Sequence, residues 1–315
     1  MSLAEVQRGN HHRCSPQVEM MKTTAIVLHF RTIDRTHACL ISLQAAGVKS
    51  IIVIDNSEDG GVSLAQLRLR LARSIDDISI FIQPKNNLGF GAAINLALAE
   101  RGPDDESAVL LINSDARISR SALCAMVETL KRGVAMTAPM IREAGQILPP
   151  VRHYHPRLGL ILQRSTRGSK PYLTGACLLL TPAVIRSDLF DTGFFFYGED
   201  VELSARLRDE GHELRPTDSA CIEHDGSASA RKGSLFYEYH LNRAHWLLAR
   251  KLFPHSSFDR AIAILGRCVT LPCRAVTRSI RGRSAVPIYA AVLATWDTAT
   301  GQIRRMTPVM TTERN

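Results

Sequence analysis

The feature that most constrains this chain is a series of short apolar runs, rich in β-branched residues, each followed by a stretch with helical spacing. Residues 25–28, 51–54, 78–82 and 109–112 have strand length and are apolar at nearly every position. Residues 35–46, 64–72, 90–99 and 120–131 carry helical spacing, and the first of these stretches stops at Gly47, a natural helix terminator. A strand that is apolar throughout is buried on both faces. Such strands alternating with helices predict an α/β fold with a mostly parallel central sheet flanked by helices.

Sheets of this kind bind ligands beyond the carboxyl ends of their strands. A dinucleotide-binding domain would place a glycine-rich turn after the first strand. Here that loop reads His29-Phe30-Arg31-Thr32-Ile33-Asp34, without a glycine, and a Walker phosphate loop is absent as well. A metal held by side chains is the natural substitute for neutralising a phosphate. Asp55 ends the second apolar run and Asp115 follows the fourth. Glu199 and Asp200 come after the aromatic run 194–197, and His224 sits further on in Cys221-Ile222-Glu223-His224-Asp225-Gly226. Each alone has an ordinary explanation: aspartates cap turns, and acids at a helix start favour its dipole. Their joint, ordered occurrence points to metal-assisted chemistry on a phosphate.

Net charge is +9 with a pI near 9.4, which favours an anionic partner. No nucleic-acid recognition motif accompanies that charge, so nucleic acid is not the expected partner. The seven cysteines are odd in number and include no CxxC pair, which argues against a disulfide framework or zinc cluster and fits a reducing compartment. The first twenty residues lack an apolar signal core, and the longest uncharged stretch, 171–185, is shorter than the ~20 residues a membrane span needs. The expected arrangement is a loose leader over 1–22, a nucleotide-binding α/β domain over 23–253 and a basic helical extension over 254–315. In that extension Arg260, Arg267, Arg274, Arg278 and Arg281 alternate with apolar residues. Pro272 is expected to break any single long helix there. A cytoplasmic protein that lies on an anionic membrane surface, without crossing it, is the expected setting.

Several segments together resemble glycosyltransferase family 2, with the GT-A fold, and its rhamnosyltransferase-like members in particular. Residues 51–57 are similar to that family's VVDN(G)S segment. Asn86-Asn87-Leu88-Gly89-Phe90-Gly91-Ala92-Ala93-Ile94-Asn95 resembles its NxGF segment, and Asn113-Ser114-Asp115 its DxD motif in the NPD form. Thr174-Gly175-Ala176 resembles the glycine-containing loop before the catalytic acid, residues 198–207 resemble xEDxDLxxRL, and His224 resembles a late metal-binding histidine. The likeness spans roughly 24–250. It implies that Asp55 contacts the nucleobase and that Asn87 and Gly89 line the nucleotide pocket. It further implies Asp115 and His224 as ligands of Mg2+ or Mn2+ on the diphosphate, Asp200 as general base, and Glu199 as a wall of the acceptor pocket. The implied reaction is inverting transfer of a sugar, rhamnose from dTDP-rhamnose, to a cell-envelope glycan or a polyprenyl-linked acceptor. A UDP-hexose donor, a catalytically silent glycan-binding subunit and a nucleotidyltransferase are the competing readings. The sequence departs from the family pattern at Leu28-His29-Phe30-Arg31, where Thr-Tyr-Asn is usual, at Asn56-Ser57, which lacks the intervening glycine, and at Ser227.

Overall fold

The computed structural model describes residues 21–72, 80–102, 105–226 and 232–306. The expected leader, apart from Met21 and Lys22, lies outside them, as do the first residues of the third apolar run. Strands β1 (Thr23–His29), β2 (Ser50–Asp55), β3 (Ile80–Ile82) and β4 (Ala108–Asn113) are parallel neighbours in the order β3-β2-β1-β4. Side chains of β1 alternate between two cores. Ala25 and Val27 pack with Leu40 and Leu43 of α1 (Ile33–Ala46), whereas Ile26 packs with Ile94 and Ala97 of α3 (Phe90–Glu100). Both cores are built of buried hydrophobic side chains, which is why this strand is apolar at successive positions. Each fully buried aliphatic side chain contributes about 1.5–3 kcal/mol. Helix α1 ends as the sequence predicts: Gly47 adopts a left-handed conformation (φ 93°), and its N–H caps the carbonyls of Leu43 and Gln44. Helix α2 (Val62–Leu71) follows β2.

Beyond β4 the sheet becomes mixed. The short β5 (Ala116–Arg117) is followed by α4 (Arg120–Leu130), β6 (Met136–Glu143) and its hairpin partner β7 (Gln146–Leu148). Strands β8 (Val151–His155), β9 (Leu160–Leu162) and β10 (Lys170–Leu173) form a separate three-stranded antiparallel sheet. Strand β11 (Cys177–Leu180) returns to the main sheet antiparallel to both β4 and β6. After α5 (Glu199–Asp209), β12 (Leu214–His224) runs parallel to β6 and pairs at its end with β5. Among the described residues the main sheet has nine strands. The apolar stretch 172–180 is therefore split between two sheets by the loop 174–176. The β6–β12 register shifts between Thr217 and Cys221, so that Thr217 faces Pro139 while Cys221 faces Met140. The buried positions of β12 change from Thr217 to Ala220 and Ile222 across that bulge.

Three helices follow: α6 (Leu235–Lys251), α7 (Ser257–Gly282) and α8 (Val286–Thr300), which pack on one another. The break expected at Pro272 does not occur, and α7 runs through it. Pro272 and Cys268, whose carbonyl loses its helical donor, both lie on the side of α7 that faces away from the protein. The arginines of α7 also do not form a solvated basic face. Arg267 is fully buried and donates to the carbonyls of His245, Pro156 and Ala263 and to Tyr154 Oη. Arg274 meets His245 Nε2, and Arg278 pairs with the buried Glu238. Among the described residues no helix is long and apolar enough to cross a membrane.

Candidate active site

The carboxyl ends of β1, β2 and β4 carry His29, Asp55 and Asn113, and the predicted site residues gather along this edge. Asp55 is buried and its Oδ1 accepts from Ser57 N at 2.9 Å, closing a tight turn. The next residue, Asn56, spans to the NxGF segment: its Nδ2 donates to Gly89 O at 3.0 Å and its Oδ1 accepts from Leu88 N. Asn87 Oδ1 accepts from Gly89 N at 2.9 Å. Gly89 has φ 79°, and a Cβ there would come within 2.3 Å of Phe195 O, the same carbonyl that accepts from Phe90 N. Only glycine fits this crossing. The segment is thereby fastened to the aromatic run that leads into Glu199 and Asp200. Asn95 completes the fastening by exchanging hydrogen bonds with the backbone of Phe190.

Asp200 is reached through a sharp turn. Tyr197 (φ 67°) and Gly198 (φ 90°) are both left-handed, and a Cβ at Gly198 would press on Ala244 at 3.0 Å and on Phe194 at 3.1 Å. A non-glycine residue in this region stores strain, a pattern common at functional sites. Helix α5 then begins with Glu199 and Asp200 in its first turn, where the positive end of the dipole favours carboxylates. Asp200 Oδ1 accepts from Val201 N at 2.8 Å and Oδ2 from Gly175 N at 3.2 Å. The loop holding Gly175 is in turn tied to the end of β4, because Asn113 N donates to Ala176 O. Burial raises the Asp200 carboxyl above its ordinary range, and the N–H groups of Val201 and Gly175 oppose that rise. Burial raises Glu199 as well, with the adjacent Asp200 charge adding to it, and among the described residues Glu199 Oε2 has no hydrogen-bond partner. Two adjacent carboxyls in one low-dielectric turn disfavour double ionisation, so protons leave the pair in coupled steps.

Asp115 and His224 meet at the other end of the edge. The β5–β12 pairing sets His224 opposite Ala116, Asp115 O accepts from Asp225 N at 3.0 Å, and Arg117 grips Asp225 through two contacts. His224 Nε2 then lies 3.3 Å from Asp115 Oδ1, without an aligned hydrogen bond. On the opposite side of the ring, Nδ1 lies 3.3 Å from Glu143 Oε2. Burial lowers the His224 pKa, but the Asp115 and Glu143 carboxylates more than offset this, and the net direction is upward. Two cis ligands of an octahedral ion, each ~2.1 Å from it, are about 3 Å apart. The Asp115–His224 spacing therefore fits one divalent cation between the two side chains. With a cation bound there, Glu143, accepting from Nδ1–H, would leave the Nε2 lone pair to the metal. Among the described residues no group of three His, Cys, Asp or Glu is arranged to hold a metal.

A profile of glycosyl transferase family 2 matches residues 24–192, more than half of the chain. The chain belongs to that family. An uncharacterized protein of Mycobacterium tuberculosis and one of Mycobacterium bovis are each 23% identical to it over 232 residues, which are 72% of this chain and 81% of theirs. A mannosyltransferase from Pyrobaculum calidifontis, solved in complex with GDP-Man and Mn2+, superposes with a TM-score of 0.55 at 12% identity and covers 91% of this chain and 89% of that one. At that identity the likeness shows the fold, which is the GT-A nucleotide-sugar transferase fold. The family match stops short of Asp200 and His224, and it is tertiary geometry that brings those two to the edge carrying Asp55 and Asp115.

Two residues of this family 2 site escaped the sequence reading. Glu143 closes a β-strand, and nothing in its local sequence marks it as a partner of His224. His29 is fully buried beside Asp55. Thr36 Oγ1 donates to Thr32 O, so His29 Nδ1 must be the donor of its 2.8 Å bond to Thr36, which leaves Nε2 as a buried acceptor with no partner among the described residues. Burial, opposed by Asp55 and Asp59, lowers its pKa and keeps the ring neutral. The signal for it was the departure from the family pattern at the end of the first strand.

Proposed function

We propose that this family 2 glycosyltransferase catalyses metal-dependent, inverting transfer of a sugar from a nucleoside diphosphate to a hydroxyl of a cell-envelope glycan or polyprenyl-linked acceptor. Rhamnose from dTDP-rhamnose is the donor that its motifs favour. The observation that carries the reading is the joining of two chemistries on one sheet edge. A metal-type pair, Asp115 and His224, stands at one end, and a carboxylate of raised basicity, Asp200, stands at the other. The loop 174–176 hydrogen-bonds to Asp200 and to Asn113, two residues before Asp115.

In this reading Asp55 contacts the nucleobase, and the segment braced by Asn87 and Gly89 lines the nucleotide pocket. Asp115 and His224 hold Mg2+ or Mn2+, which when bound supplies Lewis-acid stabilisation of the leaving diphosphate. Asp200 takes the proton of the attacking hydroxyl. Its burial suits that task, since a base is most effective when its pKa is brought toward the working pH. The strained Tyr197–Gly198 turn fixes the direction of that carboxylate. Glu199 borders the acceptor, and its unpartnered oxygen is available to a sugar hydroxyl. A single base facing the anomeric carbon from the side opposite the leaving group gives inversion.

Thermal unfolding of the full chain with a panel of nucleotide sugars, with and without Mn2+, tests the reading. Stabilisation by dTDP-rhamnose that requires the metal is the expected result, followed by transfer to a rhamnosyl-accepting glycan with inverted configuration. Stabilisation by a UDP-hexose alone overturns the donor, and retention of configuration overturns the role of Asp200.

A further inference from the structure

The outer face of α7 is apolar along its whole length. Phe258, Leu265, Val269, Val276 and Ile280 recur at helical spacing, and their exposure runs from 46% at Val276 to 74% at Phe258. Helix α8 continues this surface with exposed Ile288, Val292 and Trp296. Between the two helices lies an open groove of about 540 Å3, lined by apolar side chains that include Leu271, Pro272 and Ala275. A helix on a globular domain ordinarily turns its apolar stripe inward and its charges outward. In α7 the order is reversed, with Arg267, Arg274 and Arg278 facing the protein. A contiguous apolar surface of this extent marks a contact with something else.

The charge around the surface identifies what that contact is. Between residues 257 and 306 the acids are Asp259 and Asp297. Asp259 pairs with Arg157, and Asp297 is fully buried against Tyr239 and Arg304. Arg281 and Arg283 stand exposed at the corner between the two helices, and Arg304 and Arg305 stand exposed beyond the end of α8. Beside the corner a cavity of about 700 Å3 is bordered by Lys232, Arg281 and the Arg278–Glu238 pair. The rim is cationic and the centre is apolar. A second copy of this chain would bring no free carboxylate from these helices to meet that rim. An anionic lipid surface meets the rim with headgroup phosphates and the centre with acyl chains.

We propose that α7 and α8 lie in the plane of an anionic bilayer surface, the Phe258–Ile280 stripe and Trp296 among the acyl chains and Arg281 and Arg283 on the headgroups. The docking is chiefly hydrophobic and only its lipid preference is electrostatic, because most arginines of α7 are committed inside the protein. It goes beyond the transfer reaction and stands or falls without it.

Flotation of the full chain with phosphatidylcholine vesicles, with and without phosphatidylglycerol, tests the proposal. The wild-type chain is expected to float with the mixed vesicles and to be only partly released by high salt. Leu265→Gln/Val269→Gln/Trp296→Gln alters exposed positions only, and it is expected to keep the wild-type unfolding temperature while its partition falls about tenfold or more. Should the triple variant fail to fold, Leu265→Ser makes the same comparison with a smaller fall. Arg281→Gln/Arg283→Gln is expected to lower partition into the mixed vesicles and leave phosphatidylcholine unaffected. Absence of wild-type flotation overturns the proposal, as does undiminished flotation of the folded glutamine variant. A wild-type dimer in sedimentation equilibrium that the glutamine variant dissolves, with no vesicle binding by either, assigns the face to self-association and overturns it too.

Discussion

His224 Nδ1 faces Glu143 Oε2 across 3.3 Å, so that a carboxylate on β6 sets the tautomer of a histidine on β12. The opposite nitrogen is thereby presented to Asp115. Partners of this kind typically alter metal affinity by about 10–100-fold when removed. Glu143→Gln is therefore expected to weaken Mn2+-dependent binding of a nucleoside diphosphate by about that factor, read by titration calorimetry, with metal-independent binding unchanged. Unaltered Mn2+ dependence would remove Glu143 from the site.

The Asp200 carboxyl gives a pH signature. A base must be ionised to act, and burial holds this group above the ~3.9 of an ordinary aspartate. The rate of transfer, as kcat/KM, is expected to rise with pH along an acid limb whose apparent pKa lies above that value. Asp200→Asn retains the size of the side chain, and either backbone donor can still find its oxygen. Its expected effect is a loss of about 10²–10⁴-fold in transfer with near-normal folding and donor binding. Wild-type-like transfer by the folded variant would leave Asp200 as a helix-capping residue only.

Glu199 makes a prediction about stability, with a definite sign. Its folded pKa is raised by burial and by Asp200, so the fold favours the neutral acid. Its contribution is fully present below the unfolded value of ~4.3 and is lost as pH rises through the folded value. Glu199→Gln imitates the neutral form. In scanning calorimetry the variant is expected to unfold at higher temperature than wild type in alkaline buffer, by about 2–4 °C for each kcal/mol relieved. The difference is expected to vanish near pH 4. A gain of equal size at both ends of the range would trace the effect to packing instead of ionisation.

Gly89→Ala tests the crossing at Phe195. The new methyl must move away from Phe195 O, and an alanine at φ 79° is strained whatever space it finds. The expected cost is about 1–3 kcal/mol in chemical unfolding. Nucleotide binding is expected to weaken further than that cost alone requires, because Asn56, Asn87 and Phe195 all hold the same turn. A variant with wild-type stability would mean that the segment relaxes without penalty.

Much of the central sheet was legible because strands β1, β2 and β4 are buried on both faces and carry apolar residues at every inner position. Strand β12 was not, since Leu214–His224 mixes Arg215, Pro216, Asp218 and Glu223 with its buried residues. The second sheet was equally hidden, its strands being short and half-exposed. The candidate site divides the same way. Asp55, Asn87, Gly89, Asp115, Glu199 and Asp200 lie in segments with local signatures, whereas Glu143 acquires its place only through the pairing of β6 with β12. The orientation of the tail's arginines was hidden for a different reason. Periodicity in α7 separates arginines from apolar residues but does not say which set faces water, and here Arg267 finds its acceptors inside the protein. Pro272 does not break α7, because one lost helical hydrogen bond is outweighed by the packing of the helix on both sides of it.

The bulge in β12 sets a parity condition on the site. Advancing one residue along β6, from Pro139 to Met140, takes β12 from Thr217 to Cys221, so residues 218–220 are extra. An odd insertion exchanges the two faces of a strand. It is this exchange that puts His224 on the side of Ala220 and Ile222, in phase with Asp115. Shortening the bulge by one residue would turn the imidazole to the other face with every site residue intact, whereas shortening it by two would keep the imidazole in place. Natural length variation at this point, if it preserves the histidine's task, is thus confined to even steps.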